Sequence, residues 1–225
     1  MAIQFVGFAT ATGTSITPPA ATRTGDMMIV SATNASSATF VTTAAGYTNK
    51  TSGSGTGYAQ NVSFKFATSD SEAASTWTNA THISMVVYRD TTTNTLSTGT
   101  PTIQGGFSSN FTTGSSLNLP TGTAWSQKQT GSSKSWVCVM LQHSTATNLV
   151  KDLPNLTLRS DSSVPSVAIW DTNGGCANFA AQTVTVNAST KFGYAIFEVY
   201  NTGYKVNNYQ TLGVQNGMSM TEKIR

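Results

Sequence analysis

The residues best suited to acid–base catalysis in this chain are its two histidines. His82 falls at the predicted start of one β-strand and His143 at the predicted end of another. A Ser-His-Asp site would need a serine and a carboxylate near His143, and the carboxylates at hand are Asp152, Asp161 and Asp171. No nucleophile-elbow pattern accompanies them, and serines are abundant enough to fall near a histidine by chance. We therefore predict no catalytic residue and no enzymatic activity.

The nine acidic residues are isolated from one another along the chain. A glycosidase needs two carboxylates that face each other across a sugar, and no such pair is visible. Glu198 lies within a strongly predicted strand, on the same face as Tyr194 and Ile196. We expect it to pair with Arg89 or Lys191, and a catalytic carboxylate is the alternative.

Neither a metal site nor a cofactor site is predicted. The run Asp171-Thr172-Asn173-Gly174 is similar to the first residues of a calcium loop, but the rest of that pattern is missing. We predict an Asx turn there. Cys138 lies in an apolar run and reads as a small buried hydrophobe, while Cys176 follows a predicted turn. Neither has zinc-type spacing, and whether the two form a disulfide is left open.

Four tryptophans are the candidates for a sugar-stacking platform or for core packing. In a β-sandwich such residues usually fill the core, and we predict that role for Trp136 and Trp170. Trp77 and Trp125 lie near predicted strand ends, beside small or polar residues. These two are our candidates for stacking on a glycan.

The elements that position these residues are predicted to be β-strands. Thr, Ser, Val and Gly dominate, and no segment carries a helical apolar stripe. Short alternating runs separated by turn signals indicate an all-β fold, an antiparallel β-sandwich or jelly-roll-like domain. The predicted strands are residues 3–9, 27–32, 60–68, 81–89, 136–142, 156–159, 167–170, 181–187 and 192–200, with shorter segments at 38–42, 103 and 107–111 and a polar Gly-rich loop at 48–57.

No linker or composition break divides residues 1–200, so we predict one β-sandwich domain there. Residues 201–225 lose the strand periodicity, and we predict an extended C-terminal arm. Apolar anchors spaced along a polar segment suit an arm that is ordered on binding a neighbouring subunit. The candidate assembly residues in the arm are Tyr204, Tyr209, Leu212, Val214 and Met218.

Charge is scarce, which limits the classes of partner. Only 9% of the 225 residues are charged, with a formal net charge of +3, whereas about a quarter is typical. Lys and Arg are scattered, so we predict no nucleic-acid binding. No signal peptide or membrane-spanning run is expected from the sequence. A surface of hydroxyls and amides instead favours packing against protein or sugar that is insensitive to salt.

Several short motifs follow one another along the chain. They are Gly25-Asp26-Met27-Met28-Ile29-Val30, Ala45-Gly46-Tyr47-Thr48, Phe64-Lys65-Phe66-Ala67-Thr68, Thr76-Trp77-Thr78, Val86-Val87-Tyr88-Arg89, Ser135-Trp136-Val137, Leu156-Thr157-Leu158-Arg159-Ser160 and Ile169-Trp170-Asp171-Thr172. In this order the chain resembles a group of small β-sandwich proteins encoded in tailed-bacteriophage and prophage genomes. It departs at Tyr47, where the group has Trp, and at Asp90, where the group has Gly.

This resemblance implies a virion-associated structural protein, made in the cytoplasm of the host bacterium, with no known catalytic residues. A compact domain with a short arm favours an outer capsid decoration or cement protein. Its expected partners are other virion proteins, above all the major capsid protein, and further copies of itself, with a trimer favoured. The alternative is a tail or collar knob, or a fibre protein, that binds host surface carbohydrate.

Overall fold

Two antiparallel β-sheets form the framework of the computed structural model, which describes residues 3–55, 57–91, 96–98, 113–119, 135–143, 153–154, 156–163, 166–174 and 182–201. Within these residues there are strands and no helix, which confirms the all-β prediction. The strands are β1 (Ile3–Thr12), β2 (Ser15–Ile16), β3 (Met27–Asn34), β4 (Thr48–Gly55), β5 (Tyr58–Phe66), β6 (Ser75–Thr76), β7 (His82–Asp90), β8 (Leu96–Thr98), β9 (Thr113–Leu119), β10 (Ser135–His143), β11 (Thr157–Ser163), β12 (Ser166–Asp171) and β13 (Gln182–Asn201).

The first sheet has the strand order β1-β7-β3-β5-β4, and the second has the order β11-β12-β10-β13-β8. Strand β9 pairs with β13, and β2 pairs with β6 in a small separate ladder. Every strand pair in both sheets is antiparallel. The long crossovers in this order bring together residues that are far apart in sequence, which is typical of a sandwich.

The alternation of side chains along the central strands decides which residues enter each layer. In β5, Val62 and Phe64 pack between the sheets, while Ser63 points to the opposite face and accepts a hydrogen bond there. Strand β3 is buried at all eight positions. It carries apolar residues on both faces because both faces of the first sheet are covered.

Three apolar clusters form the core. The cluster between the sheets joins Met27, Ile29, Val62, Val86 and Tyr88 of the first sheet to residues of the second, which are Trp136, Cys138, Met140, Val167, Ile169, Ala195, Phe197 and Val199. The outer face of the first sheet is covered by loop residues that include Val41, Ala44, Tyr47, Ala67, Trp77 and Ala80. The outer face of the second sheet packs around Val139, Trp170, Tyr194 and Ile196.

Further along the same strands, the layer between the sheets becomes polar. Gln60 Nε2 donates a hydrogen bond of 2.7 Å to Ser31 Oγ, which in turn donates to Gln142 Oε1 at 3.0 Å. Gln142 Nε2 donates to Ser84 Oγ at 3.2 Å. These four residues are buried, and the hydrogen bonds offset much of the cost of removing their polar groups from water, although Gln60 Oε1 has no partner among the described residues.

The structure corrects three predictions about the strands. Residues 48–57, predicted as a loop, contain the edge strand β4. An edge strand needs hydrogen bonds from one neighbour only, and β5 provides them here. Lys50 Nζ also lies 4.7 Å from the Phe64 ring centroid. Residues 38–42 form no strand. The runs 181–187 and 192–200 belong to one 20-residue strand, β13. The segments at 103 and 107–111 and the arm beyond residue 201 lie outside the described residues.

Candidate functional site

An ion pair between Arg159 and Asp171 lies where the edges of the two sheets meet. Arg159 belongs to β11 and Asp171 ends β12, and Arg159 Nε donates to Asp171 Oδ2 at 2.8 Å. The register of β11 against β12 shifts between Leu158 and Ser160. Arg159 is therefore the extra residue of a β-bulge, and bulges commonly redirect a side chain out of the ladder.

The carboxylate of Asp171 is fully buried and receives three hydrogen bonds. Besides Arg159, its donors are Tyr88 Oη at 3.0 Å and the Asn173 backbone amide at 2.9 Å. Burial raises the pKa of Asp171, although these hydrogen bonds and the Arg159 charge oppose the rise. Burial likewise raises the pKa of the neighbouring Cys138 thiol far above its usual range. A thiol in that state is a poor nucleophile.

Two aromatic rings hold the guanidinium of Arg159 in place. Its Cζ atom lies 4.6 Å from the Phe5 ring centroid and 5.5 Å from the Trp136 ring centroid. Tyr88 packs edge-on against both rings, at centroid distances of 6.2 Å and 5.8 Å. Cation–π contacts of this kind favour Arg over Lys and fix its orientation.

A pocket with a volume of about 430 Å³ opens beside this arginine. Its walls include Gln4, Phe5, Thr91, Trp136, Arg159 and Asn173. The volume falls in the range of small-molecule sites. Among the described residues that line it there is no His, Cys, Asp or Glu, so the lining offers hydrogen-bond donors and apolar contact rather than acid–base groups. We call it the Arg159 pocket.

A second ion pair, in which only the carboxylate is fully buried, fixes the loop that precedes β3. Arg89 Nε donates to Asp26 Oδ1, and Arg89 Nη2 donates to Asp26 Oδ2, both at 2.7 Å. Arg89 Nη2 also donates to the Ala21 carbonyl at 3.0 Å. Arg89, one of the two partners expected for Glu198, is bound to Asp26 through both Nε and Nη2. The side chain of Lys191, the other expected partner, lies outside the described residues.

The residues of the short sequence motifs contact one another in the fold. Asp26 binds Arg89, and Arg159 binds Asp171. Tyr47 and Trp77 stack edge-to-face with centroids 4.8 Å apart. Sequence reasoning singled out these motifs but missed their pairing, because contacts across 63 residues, as between Asp26 and Arg89, leave no trace in local periodicity. The order of the motifs along the chain was the signal in the sequence that pointed to these residues.

The tryptophans show where the predicted binding and core residues lie. Trp136 and Trp170 are buried core residues, as predicted. Trp77 is also fully buried, and its Nε1 donates to Ser63 Oγ at 3.1 Å. Its ring has no face open to a sugar, so its selection as a glycan platform is corrected. Trp125 and the arm residues Tyr204, Tyr209, Leu212, Val214 and Met218 lie outside the described residues.

The remaining candidates have structural partners. His82 Nδ1 lies 2.9 Å from Thr81 Oγ1, and burial lowers the pKa of this histidine. The hydrogen bond from the Asn173 backbone amide to the Asp171 carboxylate confirms the predicted Asx turn. Cys138 is a free, buried thiol, whereas Cys176 and the side chain of His143 are not among the described groups. No cluster of three or more His, Cys, Asp or Glu side chains suited to a metal ion occurs in the part of the chain that the structure describes.

Comparisons with protein-family models, with curated proteins and with solved structures find no significant match to this chain. Among the described residues there is no helix of the length and hydropathy required to cross a membrane. The functional interpretation therefore depends on the motifs and on the geometry described above.

Proposed function

We propose that this chain is a non-enzymatic structural protein of a bacteriophage virion, and specifically an outer capsid decoration or cement protein. Its expected partners are the major capsid protein and further copies of itself. The chain would be made in the host cytoplasm and then incorporated into the virion. The support comes from the sequence motifs, from the way the fold uses them, and from the uncharged character of the chain.

The observation that carries the proposal is the structural use of the motif residues. Asp26 with Arg89, Tyr47 with Trp77, and Arg159 with Asp171 each form a contact that holds loops or sheet edges together. Residues that define the resemblance to virion proteins thus build the framework rather than an acid–base centre. Such use suits a protein whose task is to hold a shape within an assembly.

The surface of the described residues also suits permanent packing. Phe8 on the edge strand β1 exposes 43% of its surface, and Phe40 in the loop before β4 exposes 57%. Strand β4 consists of Thr, Asn, Lys, Ser and Gly, and it forms an edge of the first sheet. Contacts made through buried area and main-chain hydrogen bonds depend weakly on salt, in contrast to ionic ones.

Purified particles of the phage that encodes this chain provide the test. Immunogold labelling should place the protein on the head. Quantitative gels should show hundreds of copies per particle, whereas a tail or collar ring with cyclic symmetry would give about a dozen. It should remain bound in about 0.5 M salt, where charge attraction is screened beyond a few ångströms. Absence from the particle would refute the proposal, and a low copy number at the tail would favour the carbohydrate-binding knob.

A further inference from the structure

We propose that the Arg159 pocket binds a small molecule through a carboxylate group. This inference is independent of the virion role, because it depends only on the pocket's own geometry. The pocket is about 430 Å³ in volume and lies between the edge strands β1 and β11. It combines one cationic group with amide side chains and two aromatic rings.

Hydrogen-bond donors of Arg159, Asn173 and Gln4 lie at the pocket wall. A guanidinium carries five N–H donors. Arg159 uses Nε for Asp171 and Nη2 for Asn173 Oδ1 at 2.6 Å. Among the described residues, no acceptor takes the hydrogens of its Nη1 atom. Asn173 accepts through Oδ1, and its side-chain amide and that of Gln4 both lie at the pocket wall.

The geometry of Arg159 selects the kind of ligand. The guanidinium lies over the Phe5 and Trp136 rings, and we assign its Nη1 edge, which has no acceptor among the described residues, to the ligand. A planar carboxylate meets such an edge with two parallel hydrogen bonds. A neutral sugar would instead need an open aromatic face, and Trp136 is only 3% exposed.

Asp171 does not compete with the ligand for this edge. Its side chain has no exposed surface and is bonded to Arg159, Tyr88 and the Asn173 amide. Asp171 binds Arg159 through Nε, so the ligand contacts the guanidinium of Arg159 and not the buried carboxylate of Asp171. The pocket is therefore preorganised for an anion, which lowers the entropic cost of binding.

Two carboxylate compounds with uncharged counterparts distinguish the sources of such a ligand. Methyl glucuronide, compared with methyl glucoside, represents an acidic sugar. N-acetylglutamate, compared with N-acetylglutamine, represents an acidic peptide side chain. Titration of the whole protein, followed by NMR shifts and calorimetry, should give saturable binding of at least one carboxylate, with a dissociation constant of about 1 mM or tighter. Whichever carboxylate binds identifies the source.

A variant at the pocket wall locates the site without disturbing the buried ion pair. Gln4→Glu adds a negative charge at the pocket, and it should weaken carboxylate binding about fivefold or more. Asn49→Asp adds the same charge on β4, at the far edge of the first sheet, and should leave binding unchanged. The proposal is overturned if no carboxylate binds up to about 20 mM, if the uncharged counterparts bind equally well, or if Gln4→Glu binds as the unaltered protein does.

Discussion

The hydroxyl of Tyr88 in the first sheet donates a 3.0 Å hydrogen bond to the carboxylate of Asp171 in the second. Both side chains are fully buried. The bond therefore connects the two sheets through polar atoms next to the apolar cluster between them, as the Ser31–Gln142 bond does further along the strands. It also couples the ring that supports Phe5 and Trp136 to the anion that holds Arg159.

Removal of this hydroxyl should destabilise the protein. Tyr88→Phe keeps the ring but leaves the buried carboxylate one donor short, at an expected cost of about 1–3 kcal/mol in the free energy of unfolding. Urea unfolding followed by tryptophan fluorescence measures the change. Tyr47→Phe is the matched control, because the Tyr47 hydroxyl bonds no buried charged group: its partners are Met28 Sδ at 3.9 Å and the Ser75 side chain. An equal loss of stability in both variants would show that the hydrogen bond between the sheets contributes no more than the Tyr47 hydroxyl does.

The two kinds of ion pair in this structure should respond differently to mutation. Arg159→Met leaves the buried Asp171 charge uncompensated, and a loss of about 3–5 kcal/mol in unfolding free energy is expected. Lys65 pairs with Glu72 at 2.8 Å, and Glu72 keeps hydrogen bonds from the Thr68 amide and hydroxyl when Lys65 is replaced, so Lys65→Met should cost less, about 1 kcal/mol.

A double variant separates charge from packing at the Arg159 site. Arg159→Met combined with Asp171→Asn removes both charges, and it should recover part of the stability lost in Arg159→Met alone. Urea midpoints of the single and double variants provide the comparison. A double variant less stable than the single one would mean that loss of packing against Phe5 and Trp136, rather than the unpaired carboxylate, causes the effect.

Gly193 of β13 lies directly against Tyr58 and Gln60 of β5. A Cβ atom there would fall 2.6 Å from Tyr58 Cε1 and 2.8 Å from Gln60 Oε1. Gly193→Ala should therefore force the sheets apart and cost about 1–3 kcal/mol in unfolding free energy. Tyr58→Leu shortens the opposing side chain, so the double variant should lose less stability than the sum of the two single losses. Strict additivity would contradict a steric origin.

Glu72 should contribute to acid sensitivity. Partial burial opposes the shift, but hydrogen bonds from Lys65 and Thr68 lower its pKa from 4.5 to about 2. Between these values the unfolded chain binds a proton that the folded chain releases, so stability rises with pH. The stability difference between the unaltered protein and Glu72→Gln should be constant above about pH 5 and should shrink as the pH falls toward 2. Parallel urea-stability profiles across this window would contradict the assignment.

The sequence was sufficient to predict the fold class because alternation is a strong local signal. Val62 and Phe64 against Ser63 predicted β5 and its buried face, and the structure confirms both. Strand β4 was missed because Gly and Ser carry no apolar pattern. Its strand conformation comes from hydrogen bonds with β5, which are tertiary contacts that no local pattern contains.

The candidate site was harder to predict for the same reason. The sequence predicts the Asx turn at Asp171, which the structure confirms, but it marks Arg159 only as part of a motif. Their contact depends on a bulge in β11 and on aromatic residues from β1 and β10. A bulge adds one residue without changing the composition of the strand, so the strand prediction for residues 156–159 gave no sign of it.

Asp26, Glu72 and Asp171 each face a cation of the same molecule, and this internal neutralisation bears on how quickly partners meet. A chain with 12 basic and nine acidic residues that pairs several of them internally projects a weak electric field into solvent. Long-range steering, which accelerates diffusional encounter for strongly charged proteins, is then slight. The rate of docking should consequently depend on orientation and local concentration, and change little with ionic strength.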